Sequence, residues 1–480
     1  MRLVVGVDLG TQSLKVVVCD EQMRVLGDHQ RGHATSSPRP GWAEQDPRAW
    51  EAALAPAIGA ALEAANANPR DVVGVAIAGQ LDGCIAVDAN DEPLHPALIW
   101  QDKRATDIPV GRARLFELTG QIADPSHLGA KARWLRAAGI AAATWHQPVS
   151  YLLARLTGAR MLDHAHASTT MLYDLATRAW SPELVSAFAI DPATLPAITS
   201  AVSIAGLLHA RGAALTGLLV GTPVAVGTGD DFATPLGAGV AGPGAAICAI
   251  GTAEVVGAIS PTAVFDRPAP PRETILETHA YPSGGFFIEN PGWMSGGAVR
   301  WAVRLLGLSS DAELDAVAAT APAGAAGITF IPALAGAMTP MWRPGARGTL
   351  HGLAATHDRS HVARAVLEGL AYATRDVVDR LAELGLGTQD VLLLGGGSRS
   401  AVWNQIRADV LGREHHIATR TDTCAIGAAM IAAVAIGMHR DLAAAAGCAP
   451  PPVKTFRPAP IDPAGYEHYR RLILQLAPLW

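Results

Sequence analysis

Two stretches of this chain share one design. Near the start, "VVGVDLGTQSLKVVV" runs from an apolar strand through a tight Asp-Leu-Gly-Thr-Gln-Ser turn into a second apolar strand. In mid-chain "AICAIGTAEVVGAIS" does the same through Gly251 and Thr252. The match is short, and by itself leaves a true repeat and a coincidence equally open. If it is a repeat, one α/β domain lies on each side of residue 243, inside "GVAGPGA". Length points the same way: single cores stop growing beyond ~250–300 residues, and this chain has 480.

The first third alternates strand-like and helix-like segments. Val4 to Val7 and Leu14 to Val18 read as a hairpin, and "RAWEAALAPAIGAALEAA" has helical spacing. "DVVGVAIAGQ" is a near-continuous apolar run, the mark of a buried strand that delivers residues at its C-terminal end. "PALIWQD" repeats that pattern and is expected to deliver Trp100, Gln101 and Asp102. Such alternation predicts an α/β fold with ligands at the carboxyl ends of the strands. In the second half, Val362, Val366, Leu370, Val377 and Leu381 form one helical stripe, N-capped by Asp358 or Ser360 and ended by Gly385 and Gly387. "DVLLLGGGSRSAVWNQIRADVLG" reads as strand, triple-glycine turn and helix. "DTCAIGAAMIAAVAIG" is apolar on nearly all sides, which predicts a buried helix. Proline-rich stretches at 267–272 and 449–463 predict a surface loop and a linker into a short C-terminal helix.

Composition narrows the partners. A formal net charge of −6 with interspersed signs offers no basic stripe, so nucleic acid is not an expected partner. The five cysteines stand singly, which argues against a disulfide framework or structural zinc and fits a reducing compartment. The first strand follows Met1 almost directly and carries Asp8, unlike a signal peptide. The longest apolar windows fall short of the ~20 residues of a spanning helix. A soluble, cytoplasmic protein with no membrane partner is the expectation.

Four clusters could carry chemistry. Asp8-Leu9-Gly10-Thr11-Gln12-Ser13, with Lys15, places a carboxylate and hydroxyls on a hairpin tip. Turn amides and hydroxyls can meet phosphate oxygens, and the carboxylate can hold Mg²⁺ through its water shell. The same residues suit an ordinary exposed turn. Gly229-Asp230-Asp231 follows the apolar "PVAVGTG". If that backbone stays extended, the aspartates point opposite ways and one faces a cleft, where it would suit a general base; the commoner use is a turn or helix N-cap pair. Gly395-Gly396-Gly397-Ser398 could lie flat against a base or ribose, or serve tight packing alone. No GxxxxGK[ST] occurs. Gln80-Leu81-Asp82 and Trp100-Gln101-Asp102-Lys103-Arg104 offer the polar groups and aromatic face that a polyhydroxylated ligand needs, though each also suits an exposed loop. Met338, Met341 and Trp342 read as packing residues.

Taken in order, these landmarks resemble the FGGY carbohydrate kinases over essentially the whole chain, and among them the xylulokinases most closely. The resemblance rests on "DLGTQSLK", "GWAEQDPRAW", "AIAGQLDG", "ALIWQDKRA", "GTGDD", "AIGTA", "RGTLHGLAATHDRSHVARAVLEGLAYATRD", "LLLGGGSRSAVWNQIRADVLG" and "AIGAAMIA". It implies two actin-like, ribonuclease-H-like α/β domains, 1–243 and 244–480, flanking a central cleft. It further implies transfer of the γ-phosphoryl of ATP, with Mg²⁺, to a hydroxyl of a small sugar or polyol. A homodimer would be compatible with it. By motif match, Asp8 would organise Mg²⁺. Thr11, Gln12, Ser13 and Lys15 would face phosphate from one side, Gly251 and Thr252 from the other. Asp230 would be the catalytic base, Gly396, Gly397 and Asn404 would line the adenosine pocket, and Gln80, Leu81, Asp82 and Trp100 would contact the sugar beside Asp230.

Departures from the family pattern bear on the substrate. Leu81-Asp82 stands where typical xylulokinases have Met-His, and Gly336-Ala337-Met338-Thr339-Pro340 where Gly-Glu-Arg-Thr-Pro is usual. Ala253 replaces a frequent Ser, and Asp231 a frequent Asn. Asp8 and Asp230 remain, so the resemblance implies a kinase that converts D-xylulose to its 5-phosphate, with another ketose, a pentitol or a tetritol as the alternative. A non-catalytic actin-like nucleotide sensor is the alternative from another class.

Overall fold

The structure is a computed structural model that describes residues 1–269 and 272–480. Pro270 and Pro271, within the proline-rich stretch at 267–272, lie outside the described residues.

The opening hairpin forms because its apolar, largely β-branched residues are buried on both faces. Strand β1 (Leu3–Leu9) pairs antiparallel with β2 (Ser13–Cys19), and β2 with β3 (Val25–Gly32). β4 (Val72–Gly79) runs parallel to β1. With β5 (Ile204–Leu207), β6 (Pro223–Ala225) and β7 (Thr228–Gly229), these make a sheet ordered β5-β6-β4-β1-β2-β3, with β7 beside β4. A second sheet takes β8 (Ala246–Ile250), β9 (Ala253–Ser260), β10 (Glu277–Ala280) and β11 (Phe286–Met294). It is completed by β12 (Asp390–Leu394), β13 (Glu414–Ile417) and β14 (Lys454–Phe456), in the order β10-β11-β9-β8-β12-β13-β14. Each Gly-Thr hairpin is central in its sheet. Its first strand lies between its antiparallel partner and a parallel strand, as β2-β1-β4 in one sheet and β9-β8-β12 in the other. The echo in sequence is an echo in topology.

Seven helices matter for the site: α1 (Pro47–Ala64), α2 (Leu128–Ala137), α3 (Asp230–Gly237), α4 (Gly296–Leu305), α5 (Arg359–Glu383), α6 (Ala401–Leu411) and α7 (Thr423–Ala435). α1 brings Trp50, Leu54 and Ile58 against Leu3, Val5 and Val7 on one face of the first sheet. The opposite face, with Val4, Val17 and Ala76, is covered by α7. The all-round apolar character of α7 follows, since it is buried between that sheet and α3. A Cβ on Gly237 would stand 1.8 Å from Thr423 O, and one on Gly427 2.1 Å from Ala233 O. α3 and α7 therefore touch backbone to backbone, a contact only glycine permits.

In the second half, Asp358 caps α5 by accepting from Ser360 N at 2.9 Å, and the helix gives way to Gly385 in a left-handed conformation. Two expectations need correction. "PALIW" is no strand of the large sheet: Ala97–Leu98 forms a two-residue ribbon with Glu44–Gln45. Its Asp102 is wholly buried, accepting from Ala43 N and pairing with Arg104, so it serves structure. The stretch at 449–463 is more than a linker, because it contributes the edge strand β14 ahead of the helix Ala464–Leu476. No helix among the described residues is long and apolar enough to cross a membrane.

Candidate active site

β4 runs parallel to both β1 and β7, so Asp8, the Gln80-Leu81-Asp82 segment and Asp230 emerge at one edge of the first sheet. Carboxyl ends of parallel strands are where α/β proteins bind ligands. In the second sheet β8 and β12 are likewise parallel and lead into Gly251 and Gly395. A cavity of about 260 Å³ lies between the halves, bordered by Thr11, Leu81, Asp82, Trp100, Asp230 and Asp231 from the first and Ala253, Glu277, His279 and Glu289 from the second.

Gly229 is the N-cap of α3, so Asp230 and Asp231 open a helix instead of continuing a strand. Both therefore border the cavity, and the expectation that they point opposite ways is corrected. Burial, the Asp231 charge and the Asp8 charge together push Asp230 well above the usual carboxylate range. Burial likewise pushes Asp231 up to about 6, against the pull of His279. Asp8, also raised by burial, has Lys15 Nζ at 3.8 Å, and Lys15 in turn stands 3.9 Å from Asp422 at the start of α7. Among the described residues no three His, Cys, Asp or Glu side chains gather as a metal site. A buried carboxylate at a strand end, with few protein oxygens beside it, fits a cation that keeps most of its water and takes further oxygens from a phosphate chain.

The first turn is braced from behind. Thr11 Oγ1 accepts from Trp100 Nε1 at 2.8 Å, and Thr11 O accepts from Gln45 Nε2 at 2.6 Å. Gln45 Oε1 accepts from both Trp50 Nε1 and Gln80 Nε2. Gln80 is buried in this brace and does not border the cavity, which corrects its expected contact with the sugar. Gln45, within "GWAEQDPRAW", is the positioning residue that the sequence reading missed. Ser13 is also buried, its hydroxyl accepting from Gln30, whereas Gln12 is exposed at the turn.

Asp82 holds a left-handed backbone, φ 60°, unusual for a residue with a side chain. Its N–H donates to Gln147 Oε1 at 2.9 Å, and its carbonyl accepts from the buried Lys131 Nζ at 2.7 Å. Its carboxylate accepts from His127 Nδ1 at 3.0 Å. Burial would raise Asp82, but His127 and Lys131 outweigh it and hold the carboxyl below its ordinary value. For His127 burial is likewise outweighed, by Asp82, Glu277 and Asp124, and the imidazole is pushed up to about 9. The carboxylate that replaces the expected histidine is thus paired with a histidine that the N-cap of α2 supplies.

On the second side, Gly251 and Thr252 are exposed at the hairpin tip, and Thr252 Oγ1 accepts from Arg300 Nη2 at 2.8 Å. Thr252 O accepts from the amides of Ser295 and Gly297, seating the start of α4 on the turn. Arg300 is a second residue that sequence reading missed, since only the fold brings α4 here. In the glycine turn, Gly395 has φ 80° and a Cβ there would stand 2.6 Å from Ile250 O. A Cβ on Gly397 would meet Ile250 Cγ2 at 2.3 Å, so both glycines serve close packing on β8, while Gly396 meets only the flexible end of Arg399. Asn404 is buried and donates to Ser398 O at 2.7 Å, so it holds the turn. Met338 and Trp342 border the cavity, contrary to a pure packing role, whereas Met341 is buried in the second core.

Comparison with known proteins identifies the family and the fold. Residues 3–237 match the N-terminal domain of the FGGY family of carbohydrate kinases, and residues 246–436 match its C-terminal domain. The chain is 32% identical over 455 residues to a xylulose kinase of Escherichia coli (strain K12), covering 91% of each. It is 33% identical over 463 residues to a glycerol kinase of Alkalilimnicola ehrlichii, covering 92% of this chain and 91% of that one. The crystal structure of xylulose kinase from Rhodospirillum rubrum superposes with a TM-score of 0.88 at 29% identity, covering 100% of this chain and 99% of that one. With its two actin-like α/β domains around a central cleft, the chain belongs to the FGGY family of carbohydrate kinases.

Proposed function

We propose that this chain transfers the γ-phosphoryl group of ATP, with Mg²⁺, to a terminal hydroxyl of a pentulose, with D-xylulose the first substrate to test. The observation that carries this reading is Asp230, bordering the cavity, with a proton affinity raised by burial, Asp231 and Asp8. A carboxylate made more basic is suited to accept a hydroxyl proton. The substrate oxygen bonds to the γ-phosphorus, the bond from that phosphorus to the β,γ-bridging oxygen breaks, ADP leaves, and Asp230 takes the proton. Asp8 would hold the cation, which neutralises phosphate charge when bound. The two Gly-Thr turns, around Thr11 and around Gly251 and Thr252, would position the phosphates, and Gly396 would leave room for the nucleoside. Trp100 and Asp82 would orient the sugar. The halves 1–243 and 244–480 would supply these two sets. A second reading, a neutral polyol or another ketose as acceptor, is favoured by the Asp82–His127 pair, which differs from the usual xylulokinase pattern.

The test is an ADP-coupled assay over ketoses and polyols, with Asp230→Asn alongside. Turnover on at least one compound is expected, with Asp230→Asn retaining ATP binding and losing about 10²–10⁴-fold in kcat. Unchanged turnover in that variant overturns the base assignment. A polyol far ahead of D-xylulose would replace the substrate and keep the reaction.

A further inference from the structure

Three titratable side chains bordering the cavity have no part in the transfer step. Glu277 and His279 lie two apart on β10 and so share a face, and Glu289 on β11 is the register partner of Glu277. His279 Nε2 stands 3.3 Å from Glu277 Oε2 and 3.5 Å from Glu289 Oε1. All three side chains are buried. Like charges directly opposite on a sheet destabilise it. Burial, with Asp231, Glu277 and Asp230 nearby, pushes Glu289 well above the ordinary carboxylate range. Glu289 Oε2 and His279 Nδ1 are buried without a hydrogen-bond partner among the described residues. Such an arrangement is costly for buried groups, and a ligand that supplies the missing partners relieves the cost.

The charge balance says what kind of ligand. Lys103 is 2.6 Å from Asp124, His127 is 3.0 Å from Asp82, and His279 stands between two glutamates. Each cation bordering the cavity thus already faces a carboxylate, while Asp230 and Asp231 add two more acids. A substrate carboxylate would find no free counter-charge, whereas hydroxyls can both donate to and accept from this wall.

We propose that Glu277, His279 and Glu289 form the specificity wall of the acceptor site, reading the hydroxyls of an uncharged ketose or polyol and rejecting sugar acids. This rests on the kinase reading for turnover, though not for binding.

The experiment measures binding of D-xylulose, xylitol, ribitol and D-gluconate to the full chain by calorimetry, and their phosphorylation by the coupled assay. Wild type, Glu289→Gln and His279→Gln are compared. A neutral compound is expected to surpass gluconate by about a hundredfold or more in affinity or kcat/KM. Each variant is expected to weaken that compound's binding about tenfold or more, with ATP binding held within about twofold. Gluconate within about tenfold of the best neutral compound, no binding of any neutral compound, or unaltered binding in both variants overturns the proposal. Neutral binding that weakens in the variants, without phosphorylation of any compound, would defeat the kinase reading and leave the wall standing. Should neither variant fold, the wild-type preference between neutral compounds and gluconate decides alone.

Discussion

Arg407 donates from Nη1 and Nη2 to the two carboxylate oxygens of Glu254, at 2.7 and 2.6 Å, with neither side chain exposed to solvent. The same carboxylate accepts from Ser295 Oγ at 2.6 Å and Thr374 Oγ1 at 2.8 Å. One buried ion pair thereby joins the residue two beyond Thr252 to the N-cap of α4, to α5 and to α6. Breaking a buried pair leaves an uncompensated charge and costs about 3–5 kcal/mol. Arg407→Met should therefore lower the urea midpoint strongly. Replacing both partners with apolar residues of similar volume should recover most of the loss.

Activity should depend on pH through Asp230 and Asp231. A general base works only when deprotonated, and Asp230 is raised well above its usual value while Asp231 is pushed up to about 6. The acid limb of kcat/KM should therefore fall well above the ~4 of an ordinary carboxyl, with apparent values that belong to the pair. Asp231→Asn removes one like charge, lowers the affinity of Asp230 for its proton, and should shift the limb to lower pH. A pH–rate profile of both proteins tests this.

The Asp82–His127 contact should make stability pH-dependent on the alkaline side. His127 is raised from 6.5 to about 9 in the folded chain. Its stabilising contribution is present in full below pH ~6.5 and is lost as the pH rises through about 9, on the order of 3 kcal/mol in all. Asp82 is lowered, so its share is present above the ordinary carboxylate pKa and disappears on acidification. Urea titrations at a series of pH values should show this alkaline decline in wild type and a flatter profile in His127→Gln.

Gly427→Val should act on the helix crossing. A Cβ there would stand 2.1 Å from Ala233 O, a backbone atom that cannot swing aside. Overpacking of this kind costs about 1–3 kcal/mol or more, and here it also pries α3, which carries Asp230, away from α7. A lowered melting temperature together with a lower kcat is the expected result, whereas Gly139→Ala or Gly385→Ala, at sites open around the Cβ position, tests only backbone strain.

What the residues disclosed before folding, and what they did not, follows their physics. Elements with strong local signals were legible: the hairpin of β1 and β2, the long amphipathic α5 with its Asp358 cap, and the apolar α7. Asp8 and Asp230 stood out because carboxylates at the ends of apolar strands are unusual. The direction of Asp230 and Asp231 was only half legible: Gly-Asp-Asp suits both an extended strand end and a helix start, and it is the helix start that forms. Gln80 and Asn404 look like ligand contacts in sequence; long-range packing claims Gln80 for Gln45, and the local geometry of the glycine turn claims Asn404 for the Ser398 carbonyl. The Glu277–His279–Glu289 wall depends on cross-strand register, which a single strand does not encode. The Glu-Thr-His alternation was its one local trace.

The placement of α7 also bears on how the chain is made. Residues Thr423–Ala435 cover one face of a sheet whose first strand is Leu3–Leu9. On the ribosome, Val4, Val17 and Ala76 must wait with that face uncovered until nearly the whole chain has emerged. An isolated N-terminal half would carry the same sticky face permanently. The order of synthesis thus makes a helix from late in the second half the lid on the first sheet.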